Sequence, residues 1–191
     1  MPETQLHMVW PAGRALAEDA LGLPEGYALE PAGSDHLPAF RELMAKVALG
    51  QWNDENLARV RATVVPSGWQ VVRHQATGAL VATGMAQLNP IADLYPEGHE
   101  VGWIAAHPDH GGRGLGRVIT AAAVARLLDV GATEIFLRTD DYRLPAIKAY
   151  LRLGFVPHLW ADGMVERWRT VCDRLDWPFE PPTWPGGDQR H

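Results

Sequence analysis

Gly111, Gly112, Gly114 and Gly116 fall within six positions, with Arg113 and Arg117 set among them. Glycine puts no side chain in the way, so several backbone N–H groups can converge on one anion. The residues before this turn, His99 to Ala106, alternate and then become almost wholly apolar, as a central strand does. A helix is expected to begin at about Gly114, and its N-terminus adds unpaired donors and a positive dipole end. Strand, glycine turn and helix start in that order make a phosphate cradle.

The spacing excludes two common nucleotide loops. No Lys-Ser or Lys-Thr pair follows the glycines, as a Walker loop requires. Position 117 is Arg, so the glycines do not fit a dinucleotide fingerprint. His107 and His110 have H-x-x-H spacing, but they flank Pro108 in a loop and no third ligand accompanies them. No metal is expected.

The elements that must hold this turn can be read from periodicity. Residues 1–26 are expected to form an arm on the domain, with a helix-like piece from Ala12 to Leu21. Tyr27–Pro31 is a short strand candidate. Ser34 or Asp35 should cap a helix with Leu37, Phe40, Leu43, Met44 and Val47 inward, and Asn53 should cap the next. Pro66, Ser67 and Gly68 mark a turn. Strands are expected at Trp69–Arg73 and Leu80–Leu88, joined as a hairpin, then at His99–Ala106. A helix follows over Leu115–Val130, then a strand at Glu134–Thr139, a helix over Leu144–Leu153, a strand at Phe155–Leu159 and a helix over Met164–Leu175. The tail from Asp176 reads as irregular. A hairpin followed by one βαβ unit implies a mixed sheet in a single α/β domain spanning 27–175.

Composition narrows the class. The chain has 191 residues, is 47% hydrophobic and carries a net charge of -6. It can bury a core, and it lacks the cationic excess of a nucleic-acid binder. No run reaches the length of a membrane span, and no basic-then-apolar leader pattern opens it. The single cysteine, Cys172, excludes a disulfide framework and is expected to pack inside its helix face. A cytoplasmic protein is the expectation.

Two stretches, IAAHPDHGGRGLGRVI and PAIKAYLRLGF, lie a helix and a strand apart. Together they resemble the paired motifs of the GCN5-related N-acetyltransferase (GNAT) family, over about residues 99–156. The resemblance implies a mixed, mostly antiparallel central sheet with one parallel βαβ splay, flanked by helices. It implies acetyl-CoA, or a longer acyl-CoA, as donor. Its pyrophosphate would rest on the amides of Gly111, Gly112, Arg113, Gly114, Leu115 and Gly116. Its pantetheine arm would pair with backbone at Ile104, Ala105 and Ala106, where a strand edge opening from its neighbour leaves N–H and C=O groups unpaired. Arg113, and less so Arg117, would add charge near the phosphates. The chain departs from the family pattern at Gly111, where Arg or Gln is usual, and at Arg143, where Asn is common.

Tyr150 occupies the family's Tyr position in AIKAY, and a phenol there can protonate a departing thiolate. On periodicity alone it would be a core aromatic. Glu100, where the family often places a carboxylate, is the candidate base, with Asp140, Asp141 and His99 as substitutes. The expected acceptor is a small primary amine, ahead of a peptide N-terminus or lysine. Its specificity is expected from the first two helices, the loop Asn89–Gly98 and the C-terminus, where Asp93, Glu97 and Glu100 would suit a cation. The alternative is a non-catalytic module that keeps the acyl-CoA cradle. A homodimer is compatible with the sequence, which carries no signal for one.

Overall fold

Seven strands build one sheet: β1 (Leu6–Val9), β2 (Tyr27–Pro31), β3 (Val64–His74), β4 (Leu80–Leu88), β5 (Gly98–Ala106), β6 (Glu134–Thr139) and β7 (Val156–His158). In this computed structural model, which describes residues 4–187, they lie in the order β2-β3-β4-β5-β6-β1-β7. Residues 1–3 of the expected arm and 188–191 of the expected tail lie outside the described residues. Every neighbouring pair is antiparallel except β5–β6.

Five helices cover the sheet: α1 (Leu37–Lys46), α2 (Asp54–Arg61), α3 (Leu115–Asp129), α4 (Leu144–Leu153) and α5 (Met164–Leu175). Strand alternation sorts the core between two faces. Val71 joins Phe40, Met44, Leu57 and Met85 in the cluster under α1 and α2. Its neighbour Val72 points the other way, onto Leu115 and Ile119 of α3. The largest cluster lies on that second face, where α3, α4 and α5 pack against β1 and β6 through Val124, Ile147, Trp168, Leu6 and Leu137. Because sheet and helices enclose α3, it is buried nearly all round, with Thr120, Ala121 and Val124 inside as well as Leu115, Ile119 and Leu127.

β5 pairs with β4 along most of its length, from Leu88↔His99 to Ala82↔Ala106. It pairs with β6 only from Gly98 to Glu100. Beyond Glu100 the two parallel strands part, and that fork is the splay the family resemblance implies. A bulge on β5 follows at once. Two residues, Trp103 and Ile104, lie between Gly102 and Ala105 where only Gly84 lies between Thr83 and Met85, and Trp103 takes a left-handed backbone (φ 54°). A bulge of this kind turns side chains out of register, and it commonly does so beside a site.

Several boundaries differ from those expected. Leu6–Val9 does not lie on the domain as an arm; it is a sheet strand between β6 and β7, with Leu6 and Met8 fully buried. Four residues carry too little periodicity to announce a strand whose partners are far along the chain. No helix forms over 12–21, where turns run instead. Pro66, Ser67 and Gly68 lie within β3, as an irregularity between Val64↔Gln87 and Trp69↔Met85 with Ser67 at φ 54°. A 3-10 turn at Ser34–His36 precedes α1. Asn53 caps α2 as expected, its side chain accepting from Asn56 N at 2.8 Å. The tail docks through Trp184, which packs on Trp168, and Leu159 N donates to Pro185 O at 2.9 Å. No described helix is long and apolar enough to cross a membrane.

Candidate functional site

The glycine turn is prepared by a 3-10 turn at Pro108–His110, closed by Gly111 N donating to Pro108 O at 2.9 Å. Gly112 and Gly114 then adopt φ 75° and 76°, where a side chain is strained. Gly114 is the N-cap of α3 and offers no side chain to its orphan donors. Among the described residues, no protein acceptor takes the N–H groups of 112–117. A Cβ at Gly112, Gly114 or Gly116 would meet nothing within 4 Å, so the space beside the turn is open. The fit to a pyrophosphate is good.

This turn, the start of α3 and the exposed side of α4 enclose a cavity of about 600 Å³. Ile104, Ala106, Leu115 and Arg117 line it, as do Gly111, Gly112, Gly114 and Gly116. Ala105 turns its side chain into the α1 cluster, which leaves only its backbone for the splay. Arg113, preferred over Arg117 from sequence, donates to Asp109 O at 3.0 Å and is not a wall residue. The cations on the wall are Arg117, Lys148 and Arg152. Lys148 and Arg152 escaped the sequence reading because their spacing matches the exposed side of any amphipathic helix.

A second cavity, of about 250 Å³, opens at the fork, and its walls come from both faces of the sheet. Leu49, Arg59, Val60 and Thr63 belong to the α2 side; Arg143 and Tyr150 belong to α4. Ile104 and Tyr150 line both cavities, so the two spaces meet there. Tyr150 is 7% exposed, and burial pushes its hydroxyl up to about 12 against the opposing charge of Arg143. The phenol therefore holds its proton at neutral pH.

Glu100 lines the second cavity and is not free. Arg138 Nε and Nη2 donate to its two oxygens, each at 2.9 Å, and Asn89 Nδ2 donates to Oε2 at 2.5 Å. Those hydrogen bonds, chiefly, hold Arg138 above its ordinary value. Asp140, also on the wall, accepts from Arg143 Nε at 2.9 Å and from Gln5 Nε2 at 3.2 Å. The other candidate bases are elsewhere. Asp141 is held by Arg167, and His99 Nδ1 lies 2.9 Å from Glu97 O. Asp93 and Glu97 do not line the cavity, and the loop Asn89–Gly98 contributes Asn89 alone. Among the described residues, the C-terminal segment contributes nothing to the wall. The expected acidic lining is thus replaced by three arginines facing two carboxylates. Arg138 and Arg59 were missed because single arginines on a strand and a helix carry no pattern of their own.

Beside this cavity the Tyr95 hydroxyl bridges His7 Nδ1, at 3.2 Å, and His158 Nδ1, at 2.6 Å. His7 stacks on Trp160 at 4.5 Å, and burial drives it down to about 4, helped by Arg138 and His158. At the start of the glycine turn His110, which also lines the larger cavity, has Nδ1 2.8 Å from the Tyr27 hydroxyl, with His74 and His107 in ring contact. Among the described residues no group of three His, Cys, Asp or Glu is placed to hold a metal. Cys172 is fully buried and its thiol is pushed up to about 11 by that burial, which leaves it protonated.

The model of the Acetyltransferase (GNAT) family matches residues 37–155, a span that holds the fork, the glycine turn and Tyr150. The chain belongs to the GNAT family. Among curated relatives it is similar to the mycothiol acetyltransferase of Pseudarthrobacter chlorophenolicus, at 31% identity over 90 residues, covering 47% of this chain and 28% of that one. It is similar also to that of Frankia casuarinae, at 29% over 118 residues, covering 58% and 34%. The chain thus spans about a third of the length of these relatives. Among solved structures, the GNAT protein of Sphaerobacter thermophilus superposes with a TM-score of 0.62 at 16% identity, over 80% of this chain and 48% of that one. The ribosomal-protein-S18-alanine N-acetyltransferase of Escherichia coli gives 0.53 at 20% identity, over 68% and 77%. At such identities the likeness is one of fold.

Proposed function

We propose that this GNAT protein transfers an acetyl group from acetyl-CoA to the amine of a small molecule, by direct attack in a ternary complex. The observation that carries the reading is the meeting of two cavities at Tyr150 and Ile104. One is built for an anion, the other for a small polar body, and a phenol stands between them.

Acetyl-CoA bound in the first cavity supplies the thioester. The free N–H groups of 112–117 hold its pyrophosphate, with charge from Arg117. The β5 backbone from Ile104 to Ala106, parted from β6, holds the amides of its arm. The amine enters from the second cavity. Tyr150, protonated at neutral pH, gives its proton to the departing sulfur. Glu100 faces the amine as the proton acceptor, directly or through a water. Its pairing with Arg138 fixes its position at the fork. The one cysteine, buried and protonated, suits a reducing cytoplasm.

The test is calorimetric titration with acetyl-CoA followed by CoA-thiol release against a panel of amines. Acetyl-CoA binding with turnover on a small amine is expected. Binding without turnover on any amine would favour a non-catalytic acyl-CoA module, the reading that the engaged state of Glu100 also supports.

A further inference from the structure

We propose that the acceptor amine also carries a carboxylate, and that Arg59 is the residue that holds it. The proposal rests on the acyl-transfer reading of the same cavity and narrows its substrate class to small amino acids and related aminocarboxylates.

The charge census of the wall leads to this class. Arg59, Arg138 and Arg143 face Glu100 and Asp140, which leaves one positive charge in excess. The excess can be assigned to a residue. Arg138 spends Nε and Nη2 on Glu100. Arg143 spends Nε on Asp140. Arg59 has no carboxylate partner among the described residues; its one hydrogen bond goes to Asn56 Oδ1 in its own helix, at 3.3 Å. A simple ammonium ion entering this space would meet a net positive wall. An ammonium joined to a carboxylate brings its own compensation, and the excess becomes an attraction. One spare positive charge matches one carboxylate better than a dianionic phosphate, and the guanidinium fork matches a planar carboxylate in geometry.

A second observation concerns the other end of the ligand. Thr139, at the end of β6, is 2% exposed and lines the cavity, yet its Oγ1 has no hydrogen-bond partner. A buried hydroxyl is rarely left unpaired unless a ligand or water completes it. It stands next to Asp140 in the chain, and both line the cavity that Tyr150 shares with the donor. An amine placed there has the Asp140 carboxylate at hand, and a rotation of the Thr139 side chain would bring its hydroxyl, sealed in this structure, to the same place. Arg59 comes from the α2 wall and Thr139 from β6, so they serve different groups of one ligand. Size agrees: about 250 Å³ corresponds to roughly eight water volumes of ~30 Å³ each, enough for an amino acid.

The experiment measures acetylation of matched triplets: an L-amino acid, its carboxamide and the corresponding decarboxylated amine, such as alanine, alaninamide and ethylamine, across side chains of increasing size. The free acid is expected to lead in kcat/KM by at least tenfold, through KM. Arg59→Gln should raise KM for the acid at least tenfold with kcat within about twofold, and Arg59→Lys should recover part of the loss. A thermal melt close to wild type shows that either variant folds. Carboxamides or decarboxylated amines acetylated as well as the acids would overturn the proposal and leave the transferase reading intact. A KM for the acids unmoved by Arg59→Gln would remove Arg59 from it. No acetylation of any member while acetyl-CoA binds would overturn the transferase reading, and this one with it.

Discussion

Arg138 and Glu100 are joined at the fork itself. Glu100 is the last β5 residue in register with β6, opposite Phe136, and Arg138 lies two residues further along β6, reaching back with two hydrogen bonds of 2.9 Å. The ion pair therefore spans the two strands where their backbone hydrogen bonds stop. It holds the base candidate in place and braces the opening of the fork.

That placement sets the first prediction. Arg138→Met leaves a carboxylate that is 9% exposed at its side chain without its counter-ion. The loss is expected at ~1–3 kcal/mol of unfolding free energy, at the low end of that for a buried pair because Arg138 itself is 37% exposed. Glu100→Gln with Arg138 intact should lower turnover about tenfold or more, with acetyl-CoA affinity unchanged. Urea unfolding and steady-state rates check both. Equal stability in Arg138→Met would show that the brace is not used.

The glycine turn gives the second. Gly114 has φ 76°, and a side chain there costs about 1 kcal/mol in backbone strain while meeting no protein atom within 4 Å. Gly114→Val should therefore fold, with a slightly lower melting temperature. It should lose acetyl-CoA affinity by at least 100-fold, because the added carbons fill the space where the pyrophosphate rests. Calorimetry on the folded variant reads this, and retained affinity would remove the cradle from the account.

A third prediction comes from His7. Its folded value of about 4 lies below the ordinary 6.5, owing to burial first and then to Arg138 and His158. The unfolded chain takes up the proton that the native ring refuses. His7 thus contributes full stability above pH 6.5, and the contribution is lost as pH falls towards 4, by at most ~3 kcal/mol. In His7→Phe the slope of stability between pH 6.5 and 4 should flatten relative to wild type. Chemical denaturation at several pH values gives the two slopes, and parallel slopes would contradict the assignment.

Much of the scaffold was legible where local signals agreed. The strand Glu134–Thr139 and the helices Leu144–Leu153 and Met164–Leu175 begin and end where periodicity, proline and glycine place them. Asn53 announces its cap by type and position. The parts that stayed hidden are those fixed by distant partners. Leu6–Val9 becomes a strand because β6 and β7, far along the chain, accept it on both edges. Trp103 takes a strained left-handed backbone because the β5 bulge demands it, and its indole then packs at 4.7 Å on Trp52. Glycine and Tyr150 motifs pointed to the donor side, since that chemistry uses backbone at fixed spacing. The acceptor side is assembled from Arg59, Gln87, Arg138 and Thr139, on three separate elements, and no window of sequence contains them together.

The most direct measurement is the split between kcat and acetyl-CoA affinity in Tyr150→Phe. The hydroxyl, held protonated up to about 12, belongs to a residue that lines both cavities. Because it is the acid in the proposed transfer, its loss should lower kcat about 100-fold or more with the acetyl-CoA Kd within about twofold. An unchanged kcat, or a loss confined to acetyl-CoA binding, would contradict it.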